Sequence, residues 1–311
     1  MINVQENIPL APLTTFKIGG AARFFVEAET VADVMEAVSF AQTKGLKLFI
    51  LAGGSNVLFA DAGFDGLVVH LVSHYIEITP DGLVHVSAGM PLGEVIDAAM
   101  EHGMTGIERM SGVPGSLGGA VRGNAGAFGQ EIGNVVVGVR AVNQTTGLVQ
   151  EFTHEACKFV YRQSLFKCHS EWVILEVTLG LTPGGDPDAL FQEAKEIRAK
   201  REEKHSQSAK CAGSFFMNPV VKDEKLLQEF AEETGAPSKN NRLPAGWLIT
   251  KAGIRGKKIG GAQMSNQHPN YLVNTGKATA DHVVMLASFV KTRVRNQLGV
   301  QLKEEIQFVG F

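Results

Sequence analysis

Residues 111–129 read SGVPGSLGGAVRGNAGAFG, with glycine at 112, 115, 118, 119, 123, 126 and 129. Glycine lets the backbone approach a ligand closely and reach positive φ, so successive N–H groups can converge on a phosphate. A shorter turn, Gly53-Gly54-Ser55-Asn56, offers the same device with a hydroxyl and an amide added. Each cluster stands at the end of a strand–helix unit. Two such loops suit a ligand carrying a pyrophosphate, such as a dinucleotide, although either alone also reads as a tight turn. Familiar alternatives are missing. No GxGxxG follows the first strand with an acidic residue ~20 positions on. No glycine run ends in Gly-Lys-Ser/Thr, and no GxSxG elbow is present.

Around these loops the 311-residue chain contains 35 glycines without a three-residue period, and 44% of its residues are hydrophobic. Neither collagen nor disorder fits that composition. The length allows two domains or three subdomains. A net charge of −3 gives no basic face for nucleic acid. Cys157, Cys168 and Cys211 are odd in number and lack CxxC spacing, which suits a reducing cytoplasm better than a disulfide scaffold. The start, MINVQENIPLAPLTTFKIGG, lacks a signal-peptide pattern. No run approaches the ~18 apolar residues of a membrane span. A soluble, cytoplasmic protein without membrane insertion is expected. His70 and His74 have no neighbours at zinc spacing, so no metal is expected.

The first half alternates strand and helix signals. Thr30, with Asp33 three residues on, predicts an N-cap for a helix whose Val34, Ala37, Val38 and Ala41 share a face. Gly45 stops it, and 48–51 follows as a short buried strand. The pattern repeats with a strand over 84–88 and a helix bearing Leu92, Val95, Ile96 and Ala99, closed by Gly103. Residues 135–181 read as several strands. The TPGGDPD segment at 182–188 is the clearest boundary. Beyond it come a charged helix over 189–204, helices over 223–233 and 280–298, and a strand over 305–309. The fold class is α+β, with at least two domains.

Three polar stretches lie in apolar surroundings: Tyr161-Arg162 with the following QSLFK, Ser214 in AGSFFMNP, and Glu305 in LKEEI. A guanidinium at 162 can grip a carboxylate by two hydrogen bonds. A surface ion pair, a turn serine and a solvated carboxylate would explain the three equally well. Residue chemistry by itself stops at a dinucleotide-binding enzyme.

At these residues the chain resembles the UDP-N-acetylenolpyruvoylglucosamine reductase family, flavin enzymes of peptidoglycan precursor synthesis. The resemblance runs through TTFKIGG at 14–20, GGSN at 53–56, SGVPGS at 111–116 and NAGAFG at 124–129. It continues through Tyr161-Arg162, AGSFF at 212–216, AGWLI at 245–249, IGG at 259–261 and Glu305-Ile306. It implies an FAD-binding region of two α+β subdomains of vanillyl-alcohol oxidase type, then an α+β substrate-binding domain. The boundaries expected are 1–73, 74–185 and 186–311. The implied reaction uses NADPH and FAD to reduce UDP-N-acetylglucosamine enolpyruvate to UDP-N-acetylmuramate, with no obligate protein partner evident. Positions matching the family's catalytic residues are Arg162, Ser214 and Glu305, with Ser214 as proton donor. FAD is expected at Gly53, Gly54, Ser55, Asn56, Gly112, Gly115, Ser116, Gly119, Asn124 and Gly126. The sugar nucleotide and NADPH phosphates are expected at Lys204, Asn218 and His268.

The chain departs from that pattern in places. Met217 stands where many members have lysine, Phe128 where others have tyrosine, and Ser206 where a proline is common. Residues 181–189 leave no room for the tyrosine-bearing loop of one subgroup. An oxidase on the same scaffold, and a non-catalytic nucleotide-binding protein, are the other readings. An oxidase would need a base rather than a proton donor, which disfavours the first of these.

Overall fold

The computed structural model describes residues 1–204 and 209–311, with the side chain of Lys204 excepted. The first elements are β1 (Gln5–Pro9), β2 (Ala21–Ala28), α1 (Val31–Lys44), β3 (Leu48–Leu51), β4 (Val57–Phe59) and β5 (Phe64–Leu71). Then come β6 (Ile76–Ile78), β7 (Leu83–Ser87), α2 (Leu92–Glu101), α3 (Leu117–Gly123), β8 (Gly126–Ala127) and β9 (Gln130–Glu131). They are followed by β10 (Val136–Asn143), β11 (Val149–Thr153), α4 (Leu165–Cys168), β12 (Trp172–Gly180) and α5 (Pro187–Lys204). The chain continues with β13 (Cys211–Ser214), α6 (Glu224–Thr234), α7 (Ala245–Lys251), β14 (Lys258–Ile259) and β15 (Ala262–Met264). It finishes with β16 (Tyr271–Asn274), α8 (Ala280–Leu298) and β17 (Gln307–Val309). This is an α+β fold.

Local signals explain where helices begin and end. Thr30 accepts the Asp33 N–H while the Asp33 carboxylate accepts the Thr30 N–H, a reciprocal cap for α1. Gly45 ends that helix at φ +63°, the left-handed conformation a C-terminal stop requires. Thr279 and His282 form the same box on α8, and Val283, Leu286, Ala287, Val290 and Val294 are its buried stripe.

The chain divides into two compact units, the first comprising 1–8, 21–54 and 64–203, and the second 9–20, 55–63 and 204–311. The first unit holds two larger sheets and the small β8–β9 hairpin. One has the order β1-β2-β5-β3, in which β2 and β3 run parallel to β5; α1 supplies the crossover that a parallel pair needs. The other, β11-β10-β12-β7-β6, is antiparallel. Its strands alternate as a half-covered sheet must: Val177 and Leu179 of β12 are buried, while Glu176 and Thr178 between and beside them are not.

The second unit is built on β13-β16-β15-β14 and on β17 running parallel to β4. Phe16, Ile18 and Leu58 belong to its buried core. Burying a Phe or Leu side chain is worth about 1.5–3 kcal/mol, which explains why two short N-terminal segments join a unit formed mainly by the C-terminal third. Helix α5 differs from the sequence expectation in the opposite sense. Expected in the C-terminal domain that starts at 186, it packs on the first unit. Leu190 and Ala194 enter that unit's core, and Arg198 pairs with Asp97 of α2.

Candidate functional site

In the first unit the two glycine turns meet backbone to backbone. A β-carbon on Gly53 would stand 2.8 Å from the Gly115 Cα and 3.3 Å from the Ser116 N. Gly54, Gly112 and Gly115 have φ of +57°, +78° and +111°, values an L side chain rarely tolerates. The N–H groups of Gly53, Gly112, Gly115 and Ser116 have no acceptor among the described residues. By contrast, Leu117 and Gly118 donate to Met90 and Ala88, and Gly119 donates to the Ser116 hydroxyl that caps α3. Unsatisfied amides beside positive-φ glycines form the concave donor set that anions take. The two turns therefore fit an FAD pyrophosphate.

Sequence reasoning missed what α5 adds. Where a β-carbon on Gly112 would sit, the Arg201 Cδ and Nε lie at 3.3 and 3.4 Å and the Arg198 Cγ at 3.6 Å. The helix brings two guanidinium side chains to a glycine loop about 90 residues earlier in the chain. No local pattern announces that.

Asn124 has a different place from the one expected. It is buried, with φ +43°, at the C-terminus of α3. Its Nδ2 donates to the Glu131 carboxylate and the Val160 carbonyl, each at 2.9 Å, while Oδ1 accepts the Gly133 N–H. The side chain is committed to holding the 126–133 hairpin. Gly126 serves the same region, because a β-carbon there would meet the Gln130 carbonyl at 2.7 Å and an Arg162 nitrogen at 3.2 Å.

Arg162 occupies a two-residue turn closed by reciprocal bonds between Val160 and Gln163, both 3.0 Å. The turn forces Arg162 to φ +56°, a conformation that costs a non-glycine residue about 1–2 kcal/mol. Its guanidinium donates to the Gly126 and Asn124 carbonyls at 3.0 and 3.4 Å and lies 5.3 Å from the Tyr161 ring. Lys167 Nζ holds the Arg162 carbonyl. Strain kept at one residue and braced from several sides is the pattern of functional positions.

The second unit brings Ser214, Asn218 and His268 to one cavity of about 400 Å³, which Trp247, Thr250 and Asn270 also line. Ser214 ends β13 after Gly213, whose φ of +71° accompanies a register break opposite β16. Asn270 fixes the following residues. Its main-chain carbonyl accepts the Phe215 N–H, and its side chain both accepts from and donates to the Phe216 backbone, at 3.0 and 2.8 Å. The Phe215 carbonyl accepts the Glu305 N–H at 2.8 Å, so Glu305 is tied to the residue after Ser214. Asn56 completes the link: its carbonyl accepts the Gln307 N–H, and its Nδ2 donates to the Glu305 carbonyl at 3.3 Å. This follows from the parallel pairing of β4 with β17, which also puts Ser55 and Asn56 in the second unit and Gly53 and Gly54 in the first.

Asn218 Oδ1 accepts the Ala245 N–H at the start of α7, which fixes the amide's orientation. The His268 ring lies 4.4 Å from the Tyr271 ring. The side chain of Lys204, and Ser206, lie outside the described residues. His70 and His74 face Glu27 and Glu94, and no group of three metal-ligating side chains occurs among the described residues. No described helix is long and apolar enough to cross a membrane.

Comparison with known proteins covers the whole chain. Residues 22–153 match the FAD binding domain family, and residues 204–309 match the family described as UDP-N-acetylenolpyruvoylglucosamine reductase, C-terminal domain. The reductase of that name from Solibacter usitatus is 34% identical over 99% of this chain and 97% of its own length. The one from Pseudomonas aeruginosa is 35% identical over 98% of each. The crystal structure of the Thermus caldophilus enzyme superposes with a TM-score of 0.77 at 26% identity, covering 99% of this chain and all of that one. The FAD-binding-domain match falls on the part of the chain that carries the glycine cradle, and the C-terminal-domain match on the part that carries Ser214 and Glu305. With relatives a third identical along almost its full length, the chain belongs to the UDP-N-acetylenolpyruvoylglucosamine reductase family.

Proposed function

We propose that this protein reduces the enolpyruvyl ether of UDP-N-acetylglucosamine to the lactyl ether, UDP-N-acetylmuramate, drawing on NADPH and acting in the cytoplasm. The observation that carries the reading is the cavity that Ser214 shares with Asn218 and His268, beside a backbone bond from the Glu305 N–H to the carbonyl of Phe215, the residue after Ser214. When bound, the FAD flavin supplies the hydride delivered to C3 of the enolpyruvyl group, at the expense of NADPH.

The chain's own residues then have separable tasks. Gly53, Gly54, Gly112, Gly115, Ser116 and Gly119 hold the cofactor by close backbone approach, with Arg198 and Arg201 alongside. Hydride arrival at C3 leaves negative charge on C2 and its carboxylate, as an enolate. Arg162 stabilises those oxygens with preorganised N–H donors, and a protonated or hydrogen-bonded Glu305 assists. Ser214 Oγ gives its proton to C2. A serine hydroxyl is a weak acid, but an enolate carbon is strongly basic, so a positioned hydroxyl serves. Asn218, His268 and Lys204 receive the phosphates of the sugar nucleotide and of NADPH. The three free cysteines suit the reducing compartment in which NADPH is maintained.

Stopped-flow measurement of the two half-reactions tests the assignment. Ser214→Ala should slow oxidation of the reduced enzyme by the enolpyruvyl substrate by roughly two orders of magnitude or more, on the scale of lost general-acid catalysis. Reduction by NADPH should stay near the parent rate. Equal loss in both halves would remove Ser214 from the proton-donor role.

A further inference from the structure

Lys167 takes no part in the proposed chemistry, yet it touches one of its central residues. Its Nζ donates to the main-chain carbonyl of Arg162, five residues earlier, at 2.9 Å. The lysine stands on α4, a single turn of helix fastened to the first unit by its neighbours. The hydroxyl of Ser164, a buried residue, donates to the Arg122 carbonyl at 2.7 Å. Phe166 is fully buried and meets Phe152 edge to face, with 5.2 Å between ring centres. The half-buried side chain of Lys167 therefore starts from a fixed point and turns back over residues 160–163.

Arg162 needs such a partner. At φ +56° it sits outside the conformations that hold an L residue unaided, and residues in that state persist where their surroundings over-determine them. The Val160–Gln163 bonds close the turn on either side of it. The Asn124 and Gly126 carbonyls take its guanidinium. The first grip fixes the ends of the turn and the second the tip of the side chain. Lys167 adds a third, on the peptide plane that leaves the Arg162 Cα, the point from which the guanidinium is aimed. A hydrogen bond from a charged donor is roughly twice as strong as a neutral one, which offsets the rotamer entropy lost in ordering a lysine side chain. We infer that Lys167 is a positioning residue for reduction of the enolpyruvyl group, holding the Arg162 main chain so that the guanidinium meets the enolate oxygens. The inference rests on the proposed role of Arg162 and adds to it the residue that aims the guanidinium.

A double-mutant cycle on the full-length holoenzyme tests it, with both half-reactions followed by stopped flow. Lys167→Met keeps the length and apolar stem of the side chain and removes the donor. Oxidation of the reduced enzyme by the enolpyruvyl substrate should slow roughly 10- to 100-fold, the scale on which a displaced group loses catalysis. Reduction by NADPH should stay near the parent rate. Lys167→Arg, which restores a charged donor, should recover most of the loss. In the Arg162→Ala background, Lys167→Met should add less than about twofold, because residues that act as one unit are non-additive. Hydrogen exchange gives a readout without turnover: the Val160 and Gln163 amides, bonded across the turn, should exchange faster in Lys167→Met. A parent-like oxidation rate in Lys167→Met overturns the inference. So does a loss of the same size in the Arg162→Ala background, the mark of a lysine acting on the substrate directly. An equal loss in both half-reactions, the mark of a general structural fault, overturns it too. An Arg162→Ala variant that is oxidised at the parent rate refutes the proposed role of Arg162 itself, an outcome read independently of Lys167.

Discussion

Replacing Gly53 by alanine isolates the contact between the two glycine turns. The φ of Gly53 lies outside the left-handed region, so alanine brings no backbone strain. The effect is steric alone. The added carbon would sit 2.8 Å from the Gly115 Cα, 3.2 Å from its carbonyl carbon and 3.3 Å from the Ser116 N. Carbon atoms pack best at about 3.5–4.0 Å, so the turns must part by roughly 0.7 Å or more, and both partners are backbone. Overpacking of this kind costs about 1–3 kcal/mol. In a unit of this size that lowers the thermal midpoint by roughly 2–4 °C per kcal/mol. The same shift moves the Gly115 and Ser116 amides off the phosphate. Losing one or two such bonds weakens FAD by roughly 10- to 100-fold. Flavin fluorescence on dilution reads the affinity, and differential scanning fluorimetry reads the midpoint. Gly93→Ala is the internal control. Gly93 lies in α2, where no atom comes within 4 Å of the added carbon. There the substitution should stabilise by about 0.5–1 kcal/mol and leave FAD binding alone. Parent-like FAD affinity and midpoint in Gly53→Ala would refute the close approach of the two turns and the cradle built on it.

Asn270→Ala removes both hydrogen bonds to the Phe216 backbone inside the core. It should cost about 2–4 kcal/mol in urea unfolding and slow substrate-driven reoxidation through the loosened Ser214 segment; a cost under ~0.5 kcal/mol would contradict the bracing role. Among the cysteines only Cys168 is exposed, while burial pushes the Cys157 thiol up to about 12 and raises that of Cys211 as well. A thiol reagent at neutral pH should therefore label one cysteine in the folded protein and three in denaturant. Because the Cys157 value is raised on folding, its contribution to stability is complete below about 9 and is lost as pH rises from there to about 12. Cys157→Ala should reduce the alkaline fall in unfolding midpoint over that window, and an identical pH profile would count against the assignment.

Sequence and structure agree most closely where the signal is local. The cap at Thr30, the stop at Gly45, the strand Leu48–Leu51 and the stripe of α8 can each be read from neighbouring residues, because capping and helical periodicity act over one to four positions. The candidate site was legible in another way. Ser214, Asn218 and His268 share one cavity; residue chemistry picked out only Ser214, as a polar group in apolar surroundings, and resemblance supplied its role and the other two residues, since a serine, an asparagine and a histidine carry no chemistry by spacing alone. Asn124 shows the limit of reading a glycine-rich motif residue by residue. Its side chain serves Glu131, Val160 and Gly133, partners that only the folded hairpin brings to it.

The sequence by itself determined the capped or strongly periodic helices such as α1, α2 and α8, short strands such as β3, the glycine-dense turns, and which family's order of motifs the chain follows. Tertiary structure decided the company those segments keep. Residues 9–20 and 55–63 join the second unit because Phe16, Ile18 and Leu58 find their apolar neighbours there. Helix α5 joins the first because Leu190 and Ala194 do, carrying Arg198 and Arg201 to Gly112. The parallel pairing of β4 with β17 sets Asn56 against Glu305 across some 250 residues of chain. Burial is non-directional and roughly proportional to apolar area, so a hydrophobic pattern specifies that a face will be covered. It leaves the choice of partner to the packing of the whole fold.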